Sequence, residues 1–509
     1  MENATKENIN LIFGLKVKEL RTARNYSLQE LSEKSSISVS YLNEIEKGKK
    51  YPKTEKISDL AKALDVPYDQ LVSLKLGKTL SPVGQILNLD ILNELPFETF
   101  GIDRNLLTGI IANAPLKIAA LVNTLYEIAR NYNLKQEHFY FAALRSYQEL
   151  NDNYFEEIEQ AAERFKTEFS FHCEPPVSTT LYVQTLQEKF NYKIAATNFE
   201  GYEPLKKLRS IFIKDISKSK EETKNHLLFY NEKLTVQQRT FLFGRELGFS
   251  YLNLEKRPYT TSWLKVESFD HVLNSFKASY FAQCLHINAT QLKNDLEDIF
   301  SQTQWNESFI LNLLEKYQAS PEMLFQRMTN LLPKYFGINE LFFIRFSSKK
   351  PEKHLKEISK ELHLSRHKEN FEARQAEQHF QRWITTSLLN LLKEKNEPTD
   401  TPETNDKVNS EVLALITTHP NGNEYFVVSV LRAMPELNNN TNSVTIGFQL
   451  TESLKKKIQF LNDSSLINNG LQLGNYSNNT EELQLIEEHK KITEAFNAFV
   501  EQQQTTTNG

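Results

Sequence analysis

Hydrogen-bonding side chains recur at helical spacing between residues 39 and 47 of the chain. Ser40, Asn43 and Glu44 are three and four residues apart, with Val39 before them and Lys47 after them, so a helix here presents all five on one face. Short polar side chains at the N-terminal end of a helix can reach base edges in the major groove of DNA, and the Glu44 carboxylate could accept from a cytosine amino group. The pattern therefore predicts a helix that reads DNA sequence.

Lysines gather directly after this helix. Lys47, Lys49, Lys50, Lys53 and Lys56 fall within ten residues, where phosphate groups would pass. Residues 1–78 carry 14 Lys and Arg against 11 Asp and Glu, whereas the whole chain has a net charge of −5. This local excess of positive charge predicts a nucleic-acid-binding surface in this part of the chain. The alternative is a solvated, lysine-rich loop on a generic four-helix bundle.

Apolar residues at helical spacing predict the helices that must position this face. They are Phe13, Val17 and Leu20 on a first helix, Leu28 and Leu31 on a second, Leu42 and Ile45 on a third, and Ile57, Leu60, Ala61 and Leu64 on a fourth. Ser27 is the predicted N-cap of the second helix, Ser38 starts the third, and Gly48 closes the third as a C-cap. The pattern predicts a small all-α bundle with one core.

This stretch resembles the Cro/lambda-repressor-like (XRE-type) family of helix-turn-helix regulators over about residues 10–73. The resemblance is carried by Leu20-Arg21, Leu31-Ser32, Ser38 to Ile45, Glu46-Lys47-Gly48-Lys49 and Pro52. Members of that family usually have Gln, which contacts phosphate, at the position of Leu28, so that contact is not expected here. The candidate DNA-binding residues are Val39, Ser40, Asn43, Glu44, Lys47, Lys49, Lys50 and Arg21.

A second pattern lies in residues 238–252, QRTFLFGRELGFSYL. Zinc hydrolases place two histidines at i and i+4 on one helix, with a Glu directly after the first that activates the metal-bound water. The matching positions are Arg245, Glu246 and Phe249. A guanidinium repels Zn²⁺ and a phenyl ring cannot ligate it, so we expect no metal, no cofactor and no catalysis at this site.

The same segment resembles the ImmA/IrrE-type metallopeptidase domain over about residues 176–300. Ala278 to Ala282 match a later Ala-Asn-x-Phe-Ala element with Ser279 in place of Asn, and Ser275 stands where an acidic third ligand is usual. The resemblance implies a degenerate peptidase fold without its activity. Arg245 and Glu246 are then either an ordinary i, i+1 pair of solvated or capped charges on an amphipathic helix, or a site at which Arg245 binds a carboxylate or phosphate of a ligand.

His363 and His367 have the spacing of a metal-binding pair on one helix face. Neither a cysteine nor a well-placed acidic residue completes that site. A polar, partly solvated helix is the prediction for this segment.

At 509 residues the chain is long enough for three or four domains. The predicted fold class is multidomain and predominantly α, with α+β modules. The predicted division is an all-α helix-turn-helix bundle at 1–78, a helical linker or dimerisation region at 79–175, a small α+β peptidase-like domain at 176–335, and a mixed α/β candidate sensor region at 336–509, with a linker near 393–409 and a disordered tail. Within it we predict helices over 116–132, 137–167, 179–190, 235–252 and 481–501, a helical region over 267–332, and strands over 193–198, 210–213, 226–230, 412–418, 425–432 and 443–449, with a hairpin at Asn421-Gly422.

The cysteines and the distribution of apolar residues limit the class of protein to which the chain can belong. Cys173 and Cys284 lie far apart without Cys-x-x-Cys spacing, which indicates neither a disulfide framework nor a thiolate zinc site. The sequence shows no basic, apolar leader and no apolar run long enough to cross a bilayer, so a cytoplasmic protein with no membrane partner is expected.

Together the segments resemble the short-chain fatty acyl regulators, one-component transcription factors of bacterial carbon metabolism. The C-terminal resemblance is carried by Glu361 to Ser365, Gln381 to Trp383, Pro420 to Gly422, Tyr425-Phe426 and Ile446 to Phe448. It implies a homodimer that binds operator DNA and responds to a small molecule, with a short-chain acyl-CoA or related metabolite as the candidate effector. Several relatives carry a late cysteine cluster that this chain lacks, so no metal or redox input is expected from that region.

Two other functions stay open at this point. One is a regulatory metallopeptidase of the ImmA/IrrE type that cleaves a repressor. The other is an antitoxin-like interaction protein that represses its own operon.

Overall fold

A computed structural model describes most of the chain between residues 6 and 467. The described residues are 6–73, 100, 112–115, 117–118, 120, 124, 136–171, 174–199, 205, 208–214, 226–261, 266, 268–348, 356–365, 371–394, 410–434 and 440–467. The predicted helices over 116–132, in large part, and over 481–501 lie outside these residues, as do the tail and most of the predicted linker. Among the described helices, none is long and apolar enough to cross a membrane.

The chain divides into two compact units, each assembled from segments that are distant in sequence. Unit 1 comprises residues 1–148, 185–234 and 245–280, and unit 2 comprises residues 149–184, 235–244 and 281–509. The predicted boundaries at residues 78, 175 and 335 stay a prediction. The predicted fold class is confirmed, because helices predominate and sheet-containing α+β regions follow the N-terminal helical bundle.

Five short helices form the N-terminal bundle of unit 1. They are α1 (Lys6–Ala23), α2 (Leu28–Ser35), α3 (Val39–Glu46), α4 (Thr54–Ala63) and α5 (Tyr68–Val72). Their shared core contains Phe13, Val17, Leu31, Ile37, Leu42, Ile45, Ile57, Leu60, Ala61, Leu64 and Leu71. The helices and the core predicted from apolar spacing are confirmed, and α5 adds Leu71 to that core.

The predicted single helix over 137–167 is wrong. The segment forms two helices, α6 (Gln136–Leu150) and α7 (Glu156–Glu168). Between them, Asp152 and Asn153 adopt φ angles of 49° and 52°. Asn and Asp enter this left-handed region more readily than other side chains, so this pair ends the helix.

Four strands form the sheet of unit 1. They are β1 (Tyr192–Thr197), β2 (Ser210–Lys214), β3 (His226–Asn231) and β4 (Thr260–Thr261), in the order β1-β3-β2-β4, with β1 parallel to β3 and the other pairs antiparallel. The helices α8 (Thr179–Phe190), α9 (Val236–Tyr251) and α10 (Phe269–His286) come before, between and after these strands. The three predicted strands and the helices at 179–190 and 235–252 are confirmed within a few residues.

Unit 2 contains a five-stranded antiparallel sheet in the order β6-β5-β9-β8-β7. Its strands are β5 (Leu341–Ser348), β6 (Lys356–Leu364), β7 (Ser410–Thr418), β8 (Glu424–Met434) and β9 (Asn440–Gln449). Its helices are α11 (Ala289–Phe300), α12 (Ser308–Tyr317), α13 (Pro321–Leu331), which continues into a π-helical turn (Leu332–Phe336), α14 (Phe371–Glu394), α15 (Glu452–Lys457) and α16 (Ser464–Ile467). The helical region predicted up to residue 332 and the three late strands are confirmed.

Both faces of this sheet are buried. Phe342 and Ile344 pack with Ile384 of α14, whereas the alternate residues Leu341 and Phe343 belong to the larger core that includes α11 to α13. Successive side chains of a strand point to opposite faces, so the apolar run of β5 serves two cores at once. Strand β5 is therefore apolar at successive positions and does not alternate.

His363 lies on strand β6, so its predicted place on a helix is wrong. Its Nδ1 lies 2.6 Å from Gln381 Oε1 of α14, and Arg382 of the same helix donates two hydrogen bonds of 3.0 Å to the two carboxylate oxygens of Glu361. Polar side chains of a strand can form such a network when a neighbouring helix presents partners. The histidine thus belongs to a hydrogen-bond network that ties β6 to α14.

We expect this network to make unit 2 more stable at neutral pH than in acid. Contact with His363, followed by the charge of Arg382, lowers the pKa of Glu361 to about 2. Because the folded-state pKa lies below the ordinary value of 4.5, the stabilisation is fully present above that ordinary value and is lost as pH falls through about 2. Urea unfolding should show Glu361→Gln destabilised by about 1–2 kcal/mol at pH 7, after allowance for screening, with the difference shrinking toward pH 2.

The exposed Glu452 is the matched control, because Glu452→Gln removes a surface charge. That variant should unfold like the parent protein over the same pH range. A Glu361→Gln deficit of constant size from pH 7 to pH 2 would contradict the assignment.

Candidate nucleic-acid interface and buried ionic cluster

Helix α3 presents the predicted polar face. Ser38 adopts an extended conformation before the helix, and its hydroxyl accepts a hydrogen bond of 3.4 Å from the Tyr41 backbone amide. Leu42 and Ile45 are fully buried, which fixes the rotation of α3 about its axis. The other side of α3 carries the four predicted reading residues: Val39 and Ser40 are exposed, and Asn43 and Glu44 are half-buried.

The C-terminus of α3 is closed as predicted by a glycine. Gly48 has a φ of 70°, its amide donates to the Ile45 carbonyl at 2.9 Å, and the Lys49 amide donates to the Glu44 carbonyl at 2.9 Å. These two bonds form a Schellman motif, in which the left-handed residue is usually glycine. The motif turns the chain sharply, so that Lys49 and Lys50 leave the helix exposed while Lys47 is half-buried.

Two glycines hold α3 close to α1. A β-carbon added at Gly14 would lie 2.1 Å from the Ile45 carbonyl oxygen, and one added at Gly48 would lie 2.9 Å from the Leu11 α-carbon. Neither position has room for a side chain. The orientation of α3 is therefore set by backbone contact as well as by the buried apolar residues.

Arg21 lies in an ion pair at the base of α3. Its Nε and Nη2 donate to the two carboxylate oxygens of the buried Glu46 at 2.6 and 2.9 Å, and its Nη1 donates to the Tyr26 carbonyl at 2.7 Å. The Glu46 carboxylate raises the pKa of Arg21. The structure gives Arg21 a role in holding α3 on α1, and contact of Arg21 with DNA stays a prediction.

Glu46 is a site residue that the sequence patterns missed. It follows Ile45 and lies four residues after Leu42, which places it on the inward face of α3. A charged residue at an inward position was the available signal, because a buried carboxylate requires a partner.

Helix α2 begins with a complete capping box. The Ser27 hydroxyl accepts from the Glu30 amide at 3.1 Å, and the Glu30 carboxylate accepts from the Ser27 amide at 2.7 Å. This confirms the predicted N-cap. Leu28, the first residue of α2, is half-buried against the bundle core, so its side chain contributes to packing.

Residues 17–71, from α1 through α5, match the helix-turn-helix family. This segment is a helix-turn-helix domain. Within this segment, α3 is the second helix of the helix-turn-helix motif. In such domains the second helix enters the major groove. The match supports a DNA-binding transcriptional regulator.

The other comparisons give less information about function than the helix-turn-helix match does. No curated protein matches the chain. A solved structure described as a Mycobacterium tuberculosis transcriptional regulator is 18% identical, with 64% of this chain and 87% of that chain covered and a TM-score of 0.40. A likeness this weak carries no argument about function.

A buried ionic cluster surrounds Glu246 in unit 1. Arg257 Nη2 donates to both carboxylate oxygens of Glu246, at 2.6 and 2.7 Å, and the Tyr192 hydroxyl donates to Oε2 at 3.2 Å. The Tyr192 hydroxyl also lies 3.1 Å from Ser250 Oγ, and burial raises the pKa of Tyr192. The Glu246 carboxylate is thus held by donors from strand β1 and from the loop after α9.

Arg257 is the second site residue that sequence patterns missed. Its guanidinium carbon lies 3.9 Å from the ring centre of Phe212 and 3.9 Å from that of Phe249. A guanidinium between two aromatic faces gains cation–π attraction on both sides. No local spacing connects Arg257 with Glu246 or Phe212, because it reaches them from an irregular loop.

Arg245 and Glu246 are both buried, at 8% and 3% exposure, so their interpretation as solvated charges is wrong. The hydrogen-bonded ion pair of Glu246 is with Arg257 and not with Arg245. The residues that would ligate zinc do not fit the ion: one position carries a cation, one carries a phenyl ring, and the intervening carboxylate is bonded to Arg257. Ser275, in place of the third ligand, offers a neutral hydroxyl that is a poor zinc ligand.

Proposed function

We propose that this protein is a sequence-specific transcriptional regulator that binds operator DNA through α3. The observation that carries the proposal is the outward face of α3, where short hydrogen-bonding side chains stand on a helix fixed by two buried apolar residues and a backbone contact. A rigid helix can place a few side chains against base edges with little loss of conformational entropy. The helix-turn-helix match supports the same placement.

The residues divide into two kinds of contact. Ser40, Asn43 and Glu44 face bases, where an amide or carboxylate can distinguish base pairs by their donors and acceptors. Lys47, Lys49 and Lys50 follow the helix and face phosphates, which fix position without reading sequence. Val39 supplies an apolar contact near a thymine methyl group.

The rest of the chain regulates this binding. A protein that reads a palindromic operator needs two copies of α3, so the active form is a homodimer. A short-chain acyl-CoA or related metabolite, bound outside the helix-turn-helix domain, favours one dimer geometry and so changes operator affinity. The ImmA/IrrE-like segment acts in this scheme as a scaffold without peptidase activity, and the ion pair of Glu246 with Arg257 supports that role.

Two substitutions, one on α3 and one at the residue that directly follows it, should separate the kinds of contact in a mobility-shift experiment with the DNA upstream of the gene. Asn43→Ala should weaken binding to that DNA by about 1–3 kcal/mol while leaving binding to unrelated DNA unchanged. Lys47→Ala should weaken binding to both and lower the slope of log affinity against log salt by about one.

Lys62 offers the matched control, since it is an exposed lysine on α4 rather than on α3. Lys62→Ala removes the same charge and should bind like the parent protein. If Asn43→Ala and Lys47→Ala also bind like the parent, the assignment of α3 as the reading helix is wrong.

A further inference from the structure

The ionic cluster of unit 1 holds more buried positive than negative charge. Arg245 and Arg257 are 8% and 7% exposed, and the Glu246 carboxylate is the acceptor that both of them face. Arg257 uses both oxygens of that carboxylate. One buried guanidinium is therefore left without a counter-charge among the side chains that the structure describes here.

That guanidinium belongs to Arg245. Within the described part of the chain it makes no hydrogen bond, its Nε is buried without a partner, and its contact with the Phe249 ring is distant, at 5.6 Å from guanidinium carbon to ring centre. Burial lowers the pKa of Arg245 to about 10, opposed by Glu246 and reinforced by Arg257 and Arg209. The side chain is thus still a cation at neutral pH.

A neighbouring helix carries a second unsatisfied group. Ser275 Oγ, on α10, is buried and, in the described residues, has no hydrogen-bond partner. Helices α9 and α10 are in close contact, because a β-carbon at Gly248 would lie 2.9 Å from the Ala278 carbonyl oxygen. The two helices that carry the unsatisfied groups therefore pack directly against each other.

An unpaired buried cation is costly. Removing a charged group from water costs several kcal/mol unless hydrogen bonds and an opposite charge replace the water. Sequences rarely keep such a group for stability, since an apolar side chain of equal size does as well. An external anion that pairs with Arg245 would remove the cost.

We propose that Arg245 binds a small oxyanion, a carboxylate or phosphate group, within this ionic cluster of unit 1. The guanidinium fork binds two oxygens of such a group at once, in the geometry that makes Arg the preferred side chain for carboxylate and phosphate. Burial of the site makes the interaction stronger than on the surface.

The test compares the thermal unfolding of the full-length protein in chloride with its unfolding in phosphate or acetate at equal ionic strength. The parent protein should gain about 3 °C or more in one of the two oxyanions, because a ligand that binds only the folded state stabilises it. The arm that shows the gain identifies the oxyanion as phosphate or carboxylate. Arg245→Met should lose this gain entirely, while its own unfolding temperature in chloride equals or exceeds that of the parent protein.

Two further variants complete the design. Lys256→Met removes a cation that is 66% exposed, next to Arg257, and should keep the full oxyanion gain. Arg245→Lys keeps the charge without the fork and should keep less than half of the gain. An equal gain in the parent protein and Arg245→Met, or no gain in either oxyanion, would overturn the proposal.

The experiment contains no DNA. Its failure would leave the assignment of α3 untouched, and failure of the mobility-shift experiment would leave this site untouched.

Discussion

We expect Gly14→Ala to destabilise the helix-turn-helix domain by about 3 kcal/mol, although alanine is the better helix former. In the interior of α1, helix propensity alone would make the substitution stabilising by about 0.5–1 kcal/mol. The added β-carbon, however, would lie 2.1 Å from the Ile45 carbonyl oxygen and 3.2 Å from the Glu46 carbonyl carbon, so α1 and α3 must separate. Overpacking against backbone costs about 1–3 kcal/mol or more, a large share of the stability of a domain this small.

Hydrogen exchange of the full-length protein measures this effect directly. Amides of α1 and α3 should exchange faster in Gly14→Ala, and operator binding should fall with them. Thr22→Ala, on the exposed side of α1, is the control and should leave exchange unchanged. Equal or slower exchange in Gly14→Ala would show that the higher helix propensity of alanine outweighs its steric contact with the Ile45 carbonyl.

Glu159→Leu should destabilise unit 2 by about 3–5 kcal/mol, because it leaves a fully buried cation without its partner. Arg327 is 0% exposed, and its Nη1 and Nη2 donate to the two carboxylate oxygens of Glu159 at 2.5 and 2.9 Å. Its Nε donates to the Ile287 carbonyl at 3.0 Å. The pair thus joins α7, α13 and the turn before α11, and loss of the carboxylate removes both of the hydrogen bonds between Arg327 and Glu159.

Urea unfolding, followed by tryptophan fluorescence, measures this loss of stability. The experiment uses a Trp263→Phe background, so that the fluorescence comes from Trp305 and Trp383 of unit 2. The double variant Glu159→Leu/Arg327→Met should recover at least half of the loss, since an apolar pair of similar volume replaces the ion pair. Glu157→Leu, the same change at an exposed position of α7, should cost little. A loss in the double variant as large as in Glu159→Leu would mean that packing, rather than unpaired charge, explains the effect.

Local signals predicted much of the fold. The apolar spacing of Phe13 and Val17, the Ser27 cap and the Gly48 turn each depend on residues within a few positions of one another, and each is found in the structure. The hairpin at Asn421-Gly422 is another case, because Gly422 has a φ of 92° and β7 and β8 pair on either side of it. Each of these signals involves residues that are close together in sequence, so it can be recognised without knowing the tertiary structure.

Strands β5 and β6 escaped prediction for a physical reason. Phe342, Phe343 and Ile344 are apolar at successive positions because both faces of the sheet are buried, and such a run has no period of two. The four-residue spacing of His363 and His367 predicts a helix, whereas His363 lies on the polar strand β6. The residues of β5 and β6 do not by themselves show which faces of the strands are buried, and burial decides whether these segments form strands.

The candidate sites were predictable only in part. The face of α3 follows from helical geometry alone, whereas the partners of its buried charges come from elsewhere in the chain. Glu46 is paired with Arg21 from another helix, and Glu246 with Arg257 from a loop. Local spacing does not show which charged side chains pair in the folded protein, so the sequence did not predict that Arg257 pairs with Glu246.

Selection of binding sites from random duplex DNA tests the reading role of α3 most directly. The full-length parent protein should enrich one motif, arranged as an inverted repeat. Asn43→Ala should enrich a motif in which the base pair read by Asn43 is degenerate and the others are kept, because loss of one side-chain contact relaxes specificity at one position. Enrichment of the same motif with the same stringency by both proteins, or of no motif by the parent, would contradict the account.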